Sequence, residues 1–201
     1  MRESVAPSRV QVPNEMSVLE HKPYWWLPVT KAIVPVLLLC AVGLLPKSVA
    51  KSPGEVDIGD TVGEATLQGL NGPPRQLSEF RGRPLIINLW ASWCGPCRGE
   101  MASLDRLAWL EPARHFSIIG ISTDDDLARA KEWLKASNAT INQFIDTRMQ
   151  MENMLGATRI PLTVLVDADG RVVDKIYGAR EWDSPESLQL IRSAFGRQPP
   201  R

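Results

Sequence analysis

The chain has 201 residues, enough for one domain of roughly 100 to 150 residues plus additional segments. Apolar residues make up 44% and charged residues 23%, the balance of an ordinary globular protein rather than a disordered one. Lys plus Arg and Asp plus Glu each total 23, so the chain carries neither the basic field expected of a nucleic-acid binder nor an acidic tail.

Residues 1–31 form an N-terminal tail. Ala32 to Leu45 then read AIVPVLLLCAVGLL, without a charge, between Lys31 and the pair Pro46-Lys47. That length suits the apolar core of a cleaved signal peptide, with Ser48-Val49-Ala50 as an acceptable cleavage site, although the preceding leader is long for one. The run alone is short for a bilayer core of about 30 Å. A span beginning at Tyr24-Trp25-Trp26, with the aromatics at the interface and Lys31 snorkelling, reaches the required length. A signal-anchor over residues 32–46 is therefore the preferred reading, and a buried helix of the globular domain is the third. Lysines on both sides leave the orientation open. Leu39, where a small residue is expected, argues against Cys40 as a lipid attachment site. Both leading readings direct the chain to a membrane.

Residues 47–56 are rich in Lys, Ser, Pro and Gly and read as a linker to a domain over 57–198. The segment EATLQGLNGPPRQLSEFRG alternates apolar residues around Asn71-Gly72-Pro73-Pro74, predicting two short extended pieces joined by a turn. PLIINLW, Pro84 to Trp90, is a continuous apolar run that fits a strand buried on both faces. Cys97, Met101, Leu104 and Ala108 fall at helical spacing in a helix expected to end near Pro112. FSIIGIST (residues 116–123) predicts a second buried strand. DDLARAKEWLKAS predicts an amphipathic helix with Leu127, Ala130 and Leu134 on one face. INQFID reads as a strand and RMQMENMLG as a short helix stopped by Gly156. LTVLVDADGRVVDKIYG reads as a hairpin turning at Asp169-Gly170. Ser184-Pro185 opens a last helix that ends at Gly196. Strands separated by helices pair in parallel and the late hairpin adds an antiparallel edge, so the pattern predicts an α/β domain with a mixed sheet between helices.

The chemistry concentrates in NLWASWCGPCRGEM, Asn88 to Met101. The chain has three cysteines and two histidines, and with Cys40 in the apolar run the domain holds a single CxxC pair. Zinc would need two further ligands, usually from a second short-spaced pair, and the sequence contains none; no metal is expected. A strand ending at Trp90 and a helix opening at Gly95-Pro96 place Cys94 at a helix N-terminus. Unpaired N–H groups and the helix dipole there favour the thiolate and lower the thiol pKa from its usual ~8.5. Cys94 is then the attacking sulfur, and Cys97, one turn in and more buried, resolves the mixed disulfide. Pro96 presets φ at the helix start. An inert structural disulfide is a poor alternative, because closing so small a loop stabilises little. Glu100 follows Cys97 by three residues on one helical face and can accept its proton; the competing reading is an exposed first-turn glutamate.

WCGPC between a buried strand and a helix resembles the thioredoxin superfamily. Together with GRPLIINLWASWCGPCRGEM, IPLTVLVDADGRVV and YGAREWDSPESL, it resembles the membrane-linked, extracytoplasmic TlpA/ResA/CcmG (DsbE-like) branch over roughly Asp57 to Phe195. The resemblance implies a thioredoxin-like fold with an N-terminal membrane-directing segment, and a cis peptide at Ile160-Pro161 packed against the cysteine pair; a trans strand-start proline is the plain alternative. It assigns Glu100 to the acidic position of this branch and Trp93, Gly95, Pro96, Ile160 and Pro161 to the shaping of the substrate site. Cytoplasmic thioredoxins carry a buried aspartate where this chain has Asn88, which cannot transfer protons in that way. Ala102 replaces a usual proline, and Ile160 replaces a usual threonine or valine.

Met149, Met151 and Met154 could suggest copper, but helical spacing favours core packing. Trp90 and Trp93 flank the site and are expected to shield it. No glycine-rich dinucleotide fingerprint occurs, so no flavin or nicotinamide is expected and the Cys94/Cys97 dithiol is itself the redox group. The resemblance thus implies a thiol–disulfide oxidoreductase at the bacterial inner membrane facing the periplasm, or free in the periplasm if the signal is cleaved. The resemblance further implies reduction of disulfides in extracytoplasmic proteins, with apocytochrome c or a copper-assembly protein as target and a membrane thiol protein as electron donor. A dithiol oxidant or isomerase, a non-catalytic binding module or copper chaperone, and a thiol peroxidase are the alternatives.

Overall fold

The structure is a computed structural model that describes residues 51–110 and 115–196. The expected linker boundary, the leader, the apolar segment and Cys40 lie wholly or largely outside the described residues. No helix among the described residues is long and apolar enough to cross a membrane.

In chain order the described elements are β1 (Thr66–Gly69), β2 (Arg75–Gln76), a 3-10 turn (Leu77–Phe80), β3 (Leu85–Trp90) and α1 (Gly95–Trp109). There follow β4 (Ser117–Ser122), α2 (Leu127–Ser137), β5 (Asn142–Ile145), α3 (Gln150–Leu155), β6 (Leu162–Val166), β7 (Val172–Tyr177) and α4 (Pro185–Phe195). The strands form one sheet in the order β2-β1-β5-β4-β3-β6-β7. β3, β4 and β5 pair in parallel through helical crossovers, while β6 and β7 add an antiparallel hairpin beside β3. β1 and β2 form a second antiparallel edge against β5. This is the mixed thioredoxin-like sheet that the pattern and the resemblance implied.

Two details differ from the sequence reading. Leu77–Phe80 closes into a 3-10 turn rather than continuing as strand, because Glu79 accepts the Gln76 backbone N–H at 2.6 Å and the Arg75 guanidinium at 3.0 Å. Helix α1 ends at Trp109, with Leu110 extended as its C-cap, short of the expected Pro112, which lies outside the described residues. The helix closes with the Leu110 backbone N–H donating to the Leu107 carbonyl as the chain turns extended.

The parity of β3 organises the interior. Leu85, Ile87 and Leu89 join Phe80, Ile119, Val164, Met151 and Leu155 in one core layer. Ile86 and Trp90 join Met101, Leu104 and Leu107 of α1, Leu134 of α2 and Ile191 of α4 in the other. Successive strand residues face opposite sides. Asn88 therefore shares the α1 face with Ile86 and Trp90, and in register it lies opposite Thr163 of β6. At the hairpin, Gly170 has φ +87°, a left-handed conformation that a side chain would strain. Met151 and Leu155 are buried in the core, as their spacing predicts, whereas Met149 is 52% exposed.

Candidate active site

The site sits where β3 delivers the chain to the start of α1, at the carboxyl end of the parallel strands. Cys94 is the N-cap of α1, with extended backbone, Gly95 is the first helical residue and Pro96 the second. Its sulfur accepts the Cys97 backbone N–H at 3.3 Å, one of the helix donors that lacks an intrahelical partner. Cys94 and Cys97 are joined as a disulfide, and their exposures are 4% and 1%. The Ile160-Pro161 peptide is cis and leads directly into β6, next to β3 in the sheet. Ile160 is half-buried and packs against both core layers, one of which includes the two cysteines.

The two tryptophans flanking the site divide between core and surface. Trp90 is fully buried, stacks on Trp133 with ring centroids 4.5 Å apart, and donates its indole N–H to the Gln143 side-chain oxygen at 2.8 Å. Trp93, the chain neighbour of Cys94, is 67% exposed and presents an apolar surface. Local spacing could not reveal this, because Trp90 continues the inward parity of β3 while Trp93 sits in the turn that leaves it.

The loop carrying Cys94 is tied down by Asp124, a buried carboxylate after β4. It accepts the Ser92 backbone N–H at 2.8 Å, the Ser92 hydroxyl at 2.7 Å and the Ser122 hydroxyl at 2.7 Å. Neither Ser92 nor Asp124 stands out in the sequence, where no motif links them.

Glu100 is not an exposed first-turn glutamate. It is 2% exposed and lies one turn beyond Cys97. Its carboxylate accepts the Trp182 indole N–H at 2.6 Å and the Asn88 side-chain amide at 3.1 Å, and the Arg180 backbone N–H and the Thr163 hydroxyl also face it. Asn88 spends its second amide hydrogen on the Thr163 hydroxyl at 3.0 Å. Burial pushes the Glu100 pKa up to about 7, and the hydrogen bonds from Trp182, Asn88, Arg180 and Thr163 oppose that rise without cancelling it. A carboxyl poised near neutrality, one helical turn along α1 from Cys97, has the proton affinity that exchange with a thiol requires. Among the described residues no three His, Cys, Asp or Glu side chains gather as a metal site.

A disulfide at the N-cap of a helix, a cis-proline leading into the neighbouring strand and a buried carboxyl one turn after the second cysteine, all on a thioredoxin-like sheet, define a thiol–disulfide oxidoreductase. The chain belongs to the Redoxin family, whose profile matches residues 57–191. It is 26% identical over 166 residues to the thiol-disulfide oxidoreductase ResA of Geobacillus thermodenitrificans, covering 82% of this chain and 95% of the relative. It is 30% identical over 162 residues to the thiol:disulfide interchange protein DsbE of Vibrio cholerae, covering 75% and 86% respectively. A crystal structure of a candidate DsbE-type interchange protein from Chlorobium tepidum superposes with a TM-score of 0.64 at 26% identity, over 70% of this chain and 99% of that one.

Proposed function

We propose that the protein is a membrane-tethered, extracytoplasmic reductant of protein disulfides. Reduced Cys94, as thiolate, attacks a substrate disulfide, forming a Cys94–substrate bond and releasing one substrate thiolate. Cys97 then loses its proton to Glu100 and attacks the Cys94 sulfur. The second substrate thiolate leaves, the Cys94–Cys97 disulfide forms, and two electrons have passed to the substrate. A membrane thiol protein returns the pair to the dithiol by the reverse exchange, and Glu100 then gives its proton back. The exposed Trp93 and the half-buried Ile160 beside Pro161 offer the substrate backbone and side chains a place to lie, with Gly95 and Pro96 leaving the approach to Cys94 open. The observation that carries the exchange chemistry is the Cys94–Cys97 disulfide at the N-cap of α1, with Glu100 buried one helical turn from Cys97.

The apolar segment 32–46 supports the tether, and the likeness to ResA and DsbE supports a role in apocytochrome c maturation or assembly of an oxidase copper site. Direction is tested by the reduction potential: a value below about −180 mV is expected, and one near the −120 mV of DsbA would overturn the reductant reading in favour of a dithiol oxidant. The substrate is tested with Cys97→Ser, which is expected to accumulate mixed disulfides through Cys94. A variant that traps nothing while retaining the protein's function in cells would point to a binding module or copper chaperone.

A further inference from the structure

The loop between β7 and α4 reaches back to the active site across α1. Glu100, Ser103 and Arg106 recur at intervals of three along one face of that helix, and all three engage residues 180–183. The Ser103 hydroxyl oxygen accepts the Trp182 backbone N–H at 3.0 Å and lies 2.8 Å from the Glu100 carbonyl and 3.2 Å from that of Arg180. The Arg106 guanidinium grips both carboxylate oxygens of Asp183, at 2.6 and 3.1 Å, and Glu181 at 3.0 Å. These are the two neighbours of Trp182. The result is a fully buried indole whose N–H ends 2.6 Å from the Glu100 carboxylate.

We propose that Trp182 is a positioning residue for disulfide exchange: held by Ser103 and Arg106, its indole N–H orients and stabilises the ionised Glu100 carboxylate that takes up the Cys97 proton. The inference rests on the proton-acceptor role given to Glu100 above. Packing alone does not explain the contact. Trp90, equally buried, satisfies its indole with the neutral amide oxygen of Gln143, so this core does not need a carboxylate to house a tryptophan. The other groups facing Glu100 are Asn88 from β3, Thr163 from β6 and the Arg180 backbone N–H, with Cys97 a turn earlier on α1. Of the charged groups on the loop, the Arg180 guanidinium lies over the Trp182 ring, 5.9 Å from its centroid, while Glu181 and Asp183 are paired with Arg106. A donor to the charged form lowers a carboxyl pKa, so removing it must raise the pH at which Glu100 ionises.

The test uses the reduced full-length chain and dithiobisnitrobenzoate, which releases one coloured thiolate when Cys94 attacks and a second when Cys97 resolves. Trp182→Phe is expected to move the midpoint of the second phase upward by about one pH unit, the worth of one hydrogen bond to a charged group, and to leave the first phase in place. The Glu100 carboxyl carbon resonance should shift its titration midpoint in the same direction. Arg106→Ala, at an exposed side chain, should raise the midpoint by less, and adding it to Trp182→Phe should raise it no further. If Trp182→Phe does not fold, Arg106→Ala carries the test. Midpoints unchanged in the folded variants, while Glu100→Gln abolishes the titration, would overturn the role of Trp182 alone. A second phase indifferent to Glu100→Gln would overturn the proton-acceptor reading beneath it.

Discussion

At Glu100, four donors favour the carboxylate, yet the loss of water around a side chain only 2% exposed outweighs them and pushes its pKa up to about 7. The ordinary value is 4.5, so the folded protein holds this proton more tightly than the unfolded chain. Between those two values the native state binds more protons, and stability falls as pH rises. The contribution is complete below about pH 4.5 and gone above about pH 7, and it amounts to about 3 kcal/mol at most. Urea unfolding at pH 5 and pH 8 should therefore show Glu100→Gln gaining on the wild type as pH rises. Parallel pH dependence in the two proteins would break the link to this residue. A smaller slope of the same sign is expected to remain, because burial first and the Asp146 charge second also raise Glu152. In the sequence, Glu100 was legible as a candidate because its distance from Cys97 is local. Its partners were not, since Trp182 is 82 positions away and meets it only through the tertiary fold.

The elements that frame the site are joined by their loops. Asp124, after β4, binds the backbone and hydroxyl of Ser92, after β3, so the two parallel strands present their ends as one unit. Asp124→Ala would leave a buried backbone N–H and two hydroxyls without their acceptor, at a cost of about 2–4 kcal/mol. A lowered urea midpoint checks this, and the Cys94 thiol should titrate differently once its loop is released. Asp126, two residues on, acts separately. Its carboxylate caps α2 by accepting the Ala128 and Arg129 N–H groups at 2.8 and 3.3 Å. Asp126→Ala should cost about 1 kcal/mol with no change in thiol chemistry. The run Asp124-Asp125-Asp126 looks uniform in sequence, and only the burial of the first and the cap geometry of the third separate them.

For the whole molecule, two core layers on either side of one sheet account for the fold, and their buried side chains among the described residues run from Val56 to Ala194. The sheet and both layers are formed within residues 51–196, so deleting residues 1–50 should leave a domain that unfolds cooperatively in urea; a broad or absent transition would overturn this. The order of strands and helices was readable because each element carries its own periodicity and stop signals. The cross-strand partnership of Asn88 and Thr163 was not, since it depends on the register in which β6 lies against β3.

By itself the sequence determined the redox pair and its setting. A strand, a turn and a proline-opened helix are local structures, and they alone put Cys94 at a helix N-terminus with Cys97 a turn behind. Only the tertiary structure decided the electrostatic character of the neighbourhood. Whether Glu100 is a solvated glutamate or a buried carboxyl of raised proton affinity depends on water being excluded by β3, β6 and the loop at Trp182, and those surfaces meet it from far along the chain. Desolvation is a property of the assembled packing, so a motif can nominate a carboxylate but cannot set its proton affinity.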